Sequence, residues 1–461
     1  MIPRSAFRIE LSALLQLMWP ILLTQTAQAG FGLIDTIMAG QVSPADLAAV
    51  AIGAGLWLPA FLMLSGILMA TTPLVAEAVG AGQSAQIPVI TRQALWVAVA
   101  LGWVGFALLR GAPVLFDPLD IPVSLQAKTS LYLQGVAWGM PAVALYTVLR
   151  GYTEALGQPR PVTVISFIAL ALSVPLNHAF IYGFGLIPAL GGAGCGYATA
   201  IMMWCMLLML ALYVSLAPAF ARVRVLTHWE RPNRQQMTHL LTLGIPIGVA
   251  IFFEASMFCI AALVLSPLGE TIVAGHQIAL SITSMLFMIP LSLAMALTIR
   301  VGHVYGEGDL VRLRQVRRLG LMAATGLALL TMLMIGVFRH DMARAYTPDA
   351  DVQAIAAQLL LFALAYQLFD AWQVSAAGIL RGLQDTRGPM WITLFCYWVV
   401  ALPLGVWLAR GAGYGANGFW LGLVLGLVLA SVLLAWRLHW RQKQLLLDAH
   451  SPAFAVKPVK P

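Results

Sequence analysis

Apolar residues run along this chain in blocks of about 20 or more, and short connections collect nearly all of the charge. A block of that length crosses the hydrocarbon core of a bilayer as a helix. Read with a window of about 19 residues, the pattern predicts twelve spans. They lie near 13–38, 47–75, 92–113, 127–150, 161–183, 192–217, 240–265, 271–299, 317–338, 353–380, 388–409 and 417–437. The most polar connection, 219–239, holds Arg222, Arg224, Glu230, Arg231 and Arg234. It divides the chain into a six-helix lobe at 1–218 and a second at 240–440, with a tail at 441–461 that reads as a cytoplasmic end.

The halves repeat. An offset of 226 carries Pro20-Ile21 to Pro246-Ile247, Ile52 to Ile278, Phe61 to Phe287 and Met69 to Met295. It also carries Val79-Gly80-Ala81-Gly82-Gln83 to Tyr305-Gly306-Glu307-Gly308-Asp309. With small gaps, Leu149-Arg150-Gly151 then falls on Leu380-Arg381-Gly382, and Pro161 and Pro175 fall on Pro389 and Pro403. Single matches are cheap among apolar residues, whereas an ordered series is not. Six spans per half is an even number, so both halves enter the membrane in the same sense, the parallel-repeat arrangement of many secondary transporters.

Composition removes the soluble alternative. The 461 residues are 61% hydrophobic and 10% charged, where soluble domains carry roughly a quarter charged. A net charge of +8 suggests a nucleic-acid partner at first sight. Of the 26 basic residues, however, all but Arg110, Lys128, Arg339, Arg344 and Arg410 fall on the side of the two termini. That is the positive-inside pattern: it places both termini in the cytoplasm and needs no nucleic acid. Arg4, Arg8 and the following run to Ala27-Gln28-Ala29-Gly30 imitate a signal peptide. The apolar character continues to Met38, and the repeat needs this helix, so it is expected as a retained first span.

Of the 18 acidic residues only Asp35, Glu254 and Asp370 fall within spans. A charge at mid-bilayer costs at least about 2.5–3.5 kcal/mol on insertion scales, so each is a functional candidate by default. No Lys or Arg lies near the middle of any span to pair with them. Three roles stay open: a protonated hydrogen-bond donor, a metal-cation site or a proton site. Removal from water without a basic partner disfavours the charged form, which makes proton coupling physically easy. Tyr366 lies one turn from Asp370 on the same face.

In span 1, Gln25, Gln28, Gly32 and Asp35 recur at helical spacing and form one polar stripe. Such a stripe faces protein or water, as a ligand surface or as interhelical glue. Pro20 and Pro246, inside the opening helices of the two halves, each remove a backbone bond and are candidate hinges or static bends. Gln367 and Gln373 around Asp370 are weaker ligand candidates and read more readily as packing. Cys195, Cys205, Cys259 and Cys396 have neither metal nor disulfide spacing. Gly191-Gly192-Ala193-Gly194-Cys195-Gly196 follows no predicted strand and reads as close packing; Met202, Met203, Met206 and Met209 read as core or lipid-facing. No Ser/His/Asp, HExxH, P-loop or CxxC pattern occurs, so no enzymatic chemistry, ATP use or bound cofactor is expected.

Several segments together resemble the multidrug and toxic compound extrusion (MATE) family in its NorM-type branch. These are Asp35-Thr36-Ile37-Met38-Ala39-Gly40, Ser43-Pro44-Ala45-Asp46-Leu47-Ala48-Ala49-Val50, Gly80-Ala81-Gly82, Phe252-Phe253-Glu254, Ala274-Gly275-His276-Gln277 and Leu380-Arg381-Gly382. The resemblance extends to about Gln444. It implies an all-α fold of two six-helix bundles around a central cleft, in a bacterial inner membrane, exporting cationic organic compounds against Na⁺ or H⁺ influx. It also implies that Glu254 and Asp370 bind the coupling cation, the metal ligands if that ion is Na⁺, with Tyr366 beside them and Asp35 as the acidic position of the N-terminal lobe. Branch members often carry two asparagines in span 5; here Ser173 stands at the first and Asn177 keeps the second. Substrate contacts are expected from Gln25, Gln28, Asp35, Asn177, Phe253, Phe258 and Gln277. The expected partners are cationic or amphipathic drug-like molecules and the bilayer, with the chain acting as a monomer. A flippase for lipid-linked or amphipathic substrates is the alternative; it would favour a cationic interior.

Overall fold

The computed structural model describes residues 4–185, 188–221, 223–227 and 229–449, with the side chains of 4–6, 259 and 448–449 outside that description. Arg222, the side chain of Cys259 and most of the expected tail (His450, Pro452, Lys457, Lys460) therefore lie outside the described residues. The protein is an all-α polytopic membrane protein: eleven helical stretches of the described residues are long and apolar enough to cross a bilayer.

The first half holds α1 (Arg4–Val42), α2 (Pro44–Leu68), α3 (Thr71–Gly80), α4 (Gln86–Gly111), α5 (Val123–Ala137), α6 (Met140–Ala155), α7 (Arg160–Tyr182) and α8 (Gly194–Leu216). The second holds α9 (Arg234–Leu265), α10 (Glu270–Glu307), α11 (Leu310–Tyr346), α12 (Ala350–Gly382), α13 (Arg387–Leu394), α14 (Leu402–Val406) and α15 (Gly415–Ala449). The expected span at 127–150 is the twelfth, and it is not one helix but the pair α5 and α6, broken at Trp138 and Gly139. Pro141, in the first turn of α6, has no N–H to give to Ala137, and its ring crowds that carbonyl. A Cβ on Gly139 would meet the Ala200 Cα at 3.0 Å, so the break also brings the chain against α8.

The repeat is visible in the backbone. Gly82, just beyond α3, and Gly308, just beyond α10, are both left-handed, at φ 68° and 73°. A residue with a Cβ pays a steric cost there, which accounts for glycine ending the helix in both halves.

The chain forms two compact units, Gln16–Phe252 and Met1–Leu15 with Phe253–Pro461. The divisions fall inside α1 and inside α9. In the Gln16–Phe252 unit, Met202, Met203 and Met206 are core residues. The Gly191–Ala193 turn packs on Asp46, whose carboxylate accepts from the Gly192 amide at 3.1 Å and pairs with Lys128 at 2.9 Å. The polar connection before α9 is strapped to α4 of this unit. The Gln93 side chain donates to the Arg231 carbonyl and accepts from the Asn233 amide, while Trp96 donates to the Glu230 carbonyl.

In the other unit α12 runs through the middle, packed on α10, α11 and α15. Two π-helical segments, Phe395–Ala401 and Trp407–Gly411, flank α14. Pro403 sits in the first turn of α14, where an α-helical path would set its ring against the carbonyl four residues back; the wider π turn precedes it. The first turns of α1 are clamped into this unit. Glu10 is buried and accepts two bonds from Arg300, at 2.7 and 2.8 Å, and one from Arg312 at 2.7 Å. Gly418, Gly422 and Gly426 make a small-residue seam on α15. A Cβ on Gly422 would lie 2.5 Å from the Gly405 Cα and one on Gly418 2.7 Å from the Leu408 carbonyl carbon. Such close helix approach is what membrane packing without a hydrophobic drive relies on.

Candidate functional site

Two groups of sequence-predicted residues gather, one in each unit. In the Phe253–Pro461 unit, α9 supplies Glu254 and α12 supplies Tyr366 and Asp370 one turn apart. A small cavity is lined by Glu254, Met257, Phe258, Tyr366, Tyr397, Leu423 and Leu427. Asp370 is fully buried, and neither carboxyl oxygen has a hydrogen-bond partner. Glu254 makes no hydrogen bond or ion pair among the described residues. It shares the cavity wall with Tyr366, which lies one turn from Asp370 on α12.

The orphaned atoms extend along α12. Gln367 is 1% exposed with both amide atoms unpartnered, and Gln373 is 2% exposed with its Oε1 unpartnered. Buried amides in an apolar interior ordinarily find partners, so these unpartnered atoms keep both amides among the weaker ligand candidates. Trp420 donates from its indole N–H to His276 Nδ1 at 3.1 Å, leaving the buried His276 Nε2 without a partner. Trp420 also packs near the Tyr366 ring, with centroids 6.3 Å apart.

Phe258 reaches the cavity wall. Phe253 does not line it; its ring stands edge-on to Trp398 at 5.3 Å between centroids. Gln277 is exposed on α10, on a different face from the buried His276. Tyr397, carried by the first π segment, lines the cavity and Trp398 follows it; neither was singled out in the sequence. An apolar aromatic pair within an apolar span carries no signal of its own, and only Pro403 hinted at the irregular turn.

In the Gln16–Phe252 unit Asp35 is 7% exposed and fully bonded. Asn177 Nδ2 donates to one carboxyl oxygen at 2.7 Å and Thr199 Oγ1 to the other at 2.9 Å. Asn177 Oδ1 has no partner. Ser173 turns to its own helix, donating to the Leu170 carbonyl at 2.7 Å. The polar stripe of α1 splits. Gln25 and Gln28 accept from the Arg150 guanidinium at 3.0 and 3.2 Å, and Arg150 pairs with Glu154 at 2.8 Å. The inner half of the stripe is thus tied to protein, while Asp35 turns to α7 and α8. The apolar run stops at Arg150, which ends the expected span; α6 continues to Ala155 and holds Arg150 half-buried beside Glu154. Thr199 gave no signal in the sequence.

α1 passes through Pro20 and α9 through Pro246 without a break. The Pro20 carbonyl accepts from Thr24 at 3.0 Å and from Thr163 of α7 at 2.8 Å. The backbone about Pro246 presses on α2, with the Gly248 Cα 2.7 Å from where a Gly66 Cβ would stand.

Among the described residues no cluster of three His, Cys, Asp or Glu side chains offers a transition-metal site. The cavity wall instead offers oxygen, from the Glu254 carboxyl and the Tyr366 and Tyr397 hydroxyls, donors of the kind a hard cation takes.

A duplicated helical bundle in the membrane, with isolated carboxyls buried among aromatic and amide side chains, defines a polytopic transporter. The family model described as MatE matches residues 20–179 and 246–407, the same two stretches that the internal repeat superimposes. The chain belongs to the MatE family, in its NorM-type branch. It is 58% identical over 420 residues to "Probable multidrug resistance protein NorM" of Acinetobacter baylyi, covering 91% of this chain and 94% of that one. It is 43% identical over 423 residues to "Multidrug resistance protein PmpM" of Pseudomonas aeruginosa, covering 90% and 88%. The fold matches the eukaryotic MATE transporter AtDTX14 with a TM-score of 0.86 at 18% identity, over 95% of this chain and 99% of that one.

Proposed function

We propose that the protein is a multidrug efflux antiporter of the bacterial inner membrane, exporting organic and often cationic compounds in exchange for inward Na⁺ or H⁺. The observation that carries this reading is the pair Glu254 and Asp370: two carboxyls of one unit in a membrane interior, without a basic partner in contact and with Tyr366 of α12 beside them. The names borne by NorM and PmpM support the choice of cargo.

The mechanism is alternating access with mutually exclusive occupancy. Charged carboxyls hold a cationic drug; an entering ion neutralises them and weakens that hold, so release follows on the outer side. Tyr366, Tyr397 and Phe258 give an aromatic wall to flat or cationic cargo. In this reading Glu254 and Asp370 with Tyr366 handle the ion, and Asp35 with Asn177 offers a second polar station in the other unit. Gln25, Gln28, Phe253 and Gln277 bear on cargo indirectly or along its route, both termini are cytoplasmic, and one chain suffices. One charge falling through 100 mV releases about 2.3 kcal/mol, roughly a 50-fold gradient for neutral cargo at about 1.36 kcal/mol per decade.

The test is dye efflux from proteoliposomes under an imposed Na⁺ or pH gradient, wild type beside Glu254→Gln and Asp370→Asn. Efflux driven by either gradient and lost in the variants supports antiport and names the ion. Activity that persists in both variants, or that needs no gradient, sinks the reading and favours the flippase.

A further inference from the structure

Three neighbouring side chains on α12 each leave at least one polar atom unbonded in the interior, as does Ser375 further along the helix. Gln367, Asp370 and Gln373 recur every third residue, along one of the ridges that run obliquely up a helix. They are 1%, 0% and 2% exposed. Both amide atoms of Gln367, both carboxyl oxygens of Asp370 and the Oε1 of Gln373 lack partners. A buried polar group without a hydrogen bond is unfavourable, and three in succession along one ridge are not the residue of ordinary packing.

Each step along the ridge rises about 4.5 Å, from 1.5 Å per residue, so the three groups form a file about 9 Å long. Helical side chains lean toward the N-terminus, which inclines Gln373 toward the level of Asp370 and carries Gln367 one step beyond. A proton needs only the carboxyl; bonding to it leaves the amide oxygens with nothing to do. A metal cation stripped of water needs several oxygens, typically six or more for hard ions, and amide carbonyls are suitable ligands.

We propose that Gln367, Asp370 and Gln373 form a cation file along α12, in which each amide in turn ligates a dehydrated monovalent metal cation beside the carboxylate and together they set the ion's apparent affinity. The proposal rests on the antiport reading and assigns it two further specificity-determining residues.

The experiment measures drug efflux from proteoliposomes against NaCl concentration, with choline chloride replacing the salt, for wild type, Gln367→Met and Gln373→Met. Thermal unfolding of each purified protein is recorded alongside. The expected result is a rise of about fivefold or more in the Na⁺ concentration for half-maximal efflux, corresponding to the loss of about 1 kcal/mol of ion binding. The melting temperature should hold or rise, because an unbonded amide has been replaced by an apolar chain of similar length. An unchanged Na⁺ requirement in both variants overturns the proposal. So does wild-type efflux that follows a pH gradient and ignores Na⁺, which leaves antiport standing; wild-type efflux that answers to neither gradient removes the parent reading instead. Should the methionine variants fail to fold, Gln373→Glu adds a carboxylate to the file. It should lower the Na⁺ requirement severalfold, and a requirement equal to or higher than wild type overturns the file.

Discussion

The indole N–H of Trp398 donates to the backbone carbonyl of Phe253 at 3.1 Å. The acceptor belongs to the residue immediately before Glu254, so the π segment of span 11 holds the turn of α9 that carries the carboxyl. The same segment turns Tyr397 into the cavity. One local irregularity therefore positions two groups of the site. Replacing Trp398 by Phe keeps a ring against Phe253 and removes the bond, worth about 1 kcal/mol. The expected outcome is normal expression with efflux reduced about fivefold at limiting ion, measured in proteoliposomes; full activity at limiting ion would show that Glu254 is positioned without it.

Asp35 accepts from both Asn177 and Thr199. Asp35→Asn sets an amide N–H₂ against one of these donors and loses a charge-assisted bond. The expected cost is about 1–3 kcal/mol of stability, read as a lower melting temperature in detergent. Thr199→Val, which removes one donor and keeps the shape, should cost less. Equal melting temperatures for wild type and Asp35→Asn would mean the three groups do not act as a bonded set.

The glycines offer a paired test. Gly422→Ala must push a methyl into the Gly405 backbone, whereas Gly326→Ala in α11 meets nothing within 4 Å. The second substitution should stabilise by about 0.5–1 kcal/mol, since alanine loses less conformational freedom in a helix. The first should destabilise by more than that, as overpacking costs about 1–3 kcal/mol. Thermal unfolding of the two purified variants should move in opposite directions.

What was legible in the sequence follows from what lipid forbids. Bilayer thickness sets the length of an apolar run, so the spans could be counted, and charge is so costly there that Asp35, Glu254 and Asp370 stood out unaided. The repeat gave the duplicated architecture before any coordinates. Less could be read where the apolar run and the helix part company. Arg150 looked like a loop residue because hydropathy stops at it, although the helix does not. The break at Trp138 and Gly139 was invisible to a window of about 19 residues, which averages over a two-residue turn. The partners of Gln367 and Gln373 were not legible for another reason: whether an amide finds a partner is a matter of neighbours on other helices, and one helix's periodicity is silent on them.

Glu10 carries the remaining prediction. Its carboxylate is shared by Arg300 and Arg312, and Arg312 has a second partner in Glu307 at 2.6 Å. Glu10→Ala strands Arg300, which is largely buried with its partner gone. Breaking such a pair costs about 3–5 kcal/mol, and Arg300's residual exposure puts the expectation near the lower end of that range. Double substitution with Arg300→Met should recover part of the lost melting temperature; no recovery would mean that the cost lies in the lost α1 contact and not in a stranded Arg300 charge.

The same clamp has a consequence for synthesis. Glu10 bonds to residues 290 and 302 positions later in the chain, so its partners do not exist while the opening helix is being threaded into the bilayer. Until α10 and α11 have been made and inserted, the carboxylate at the start of α1 has only water and lipid headgroups to meet. Closure of this clasp is therefore among the late events of biogenesis. A truncated or stalled chain would be left with a first helix whose entrance is unfastened, a signature by which an unfinished protein differs from a finished one.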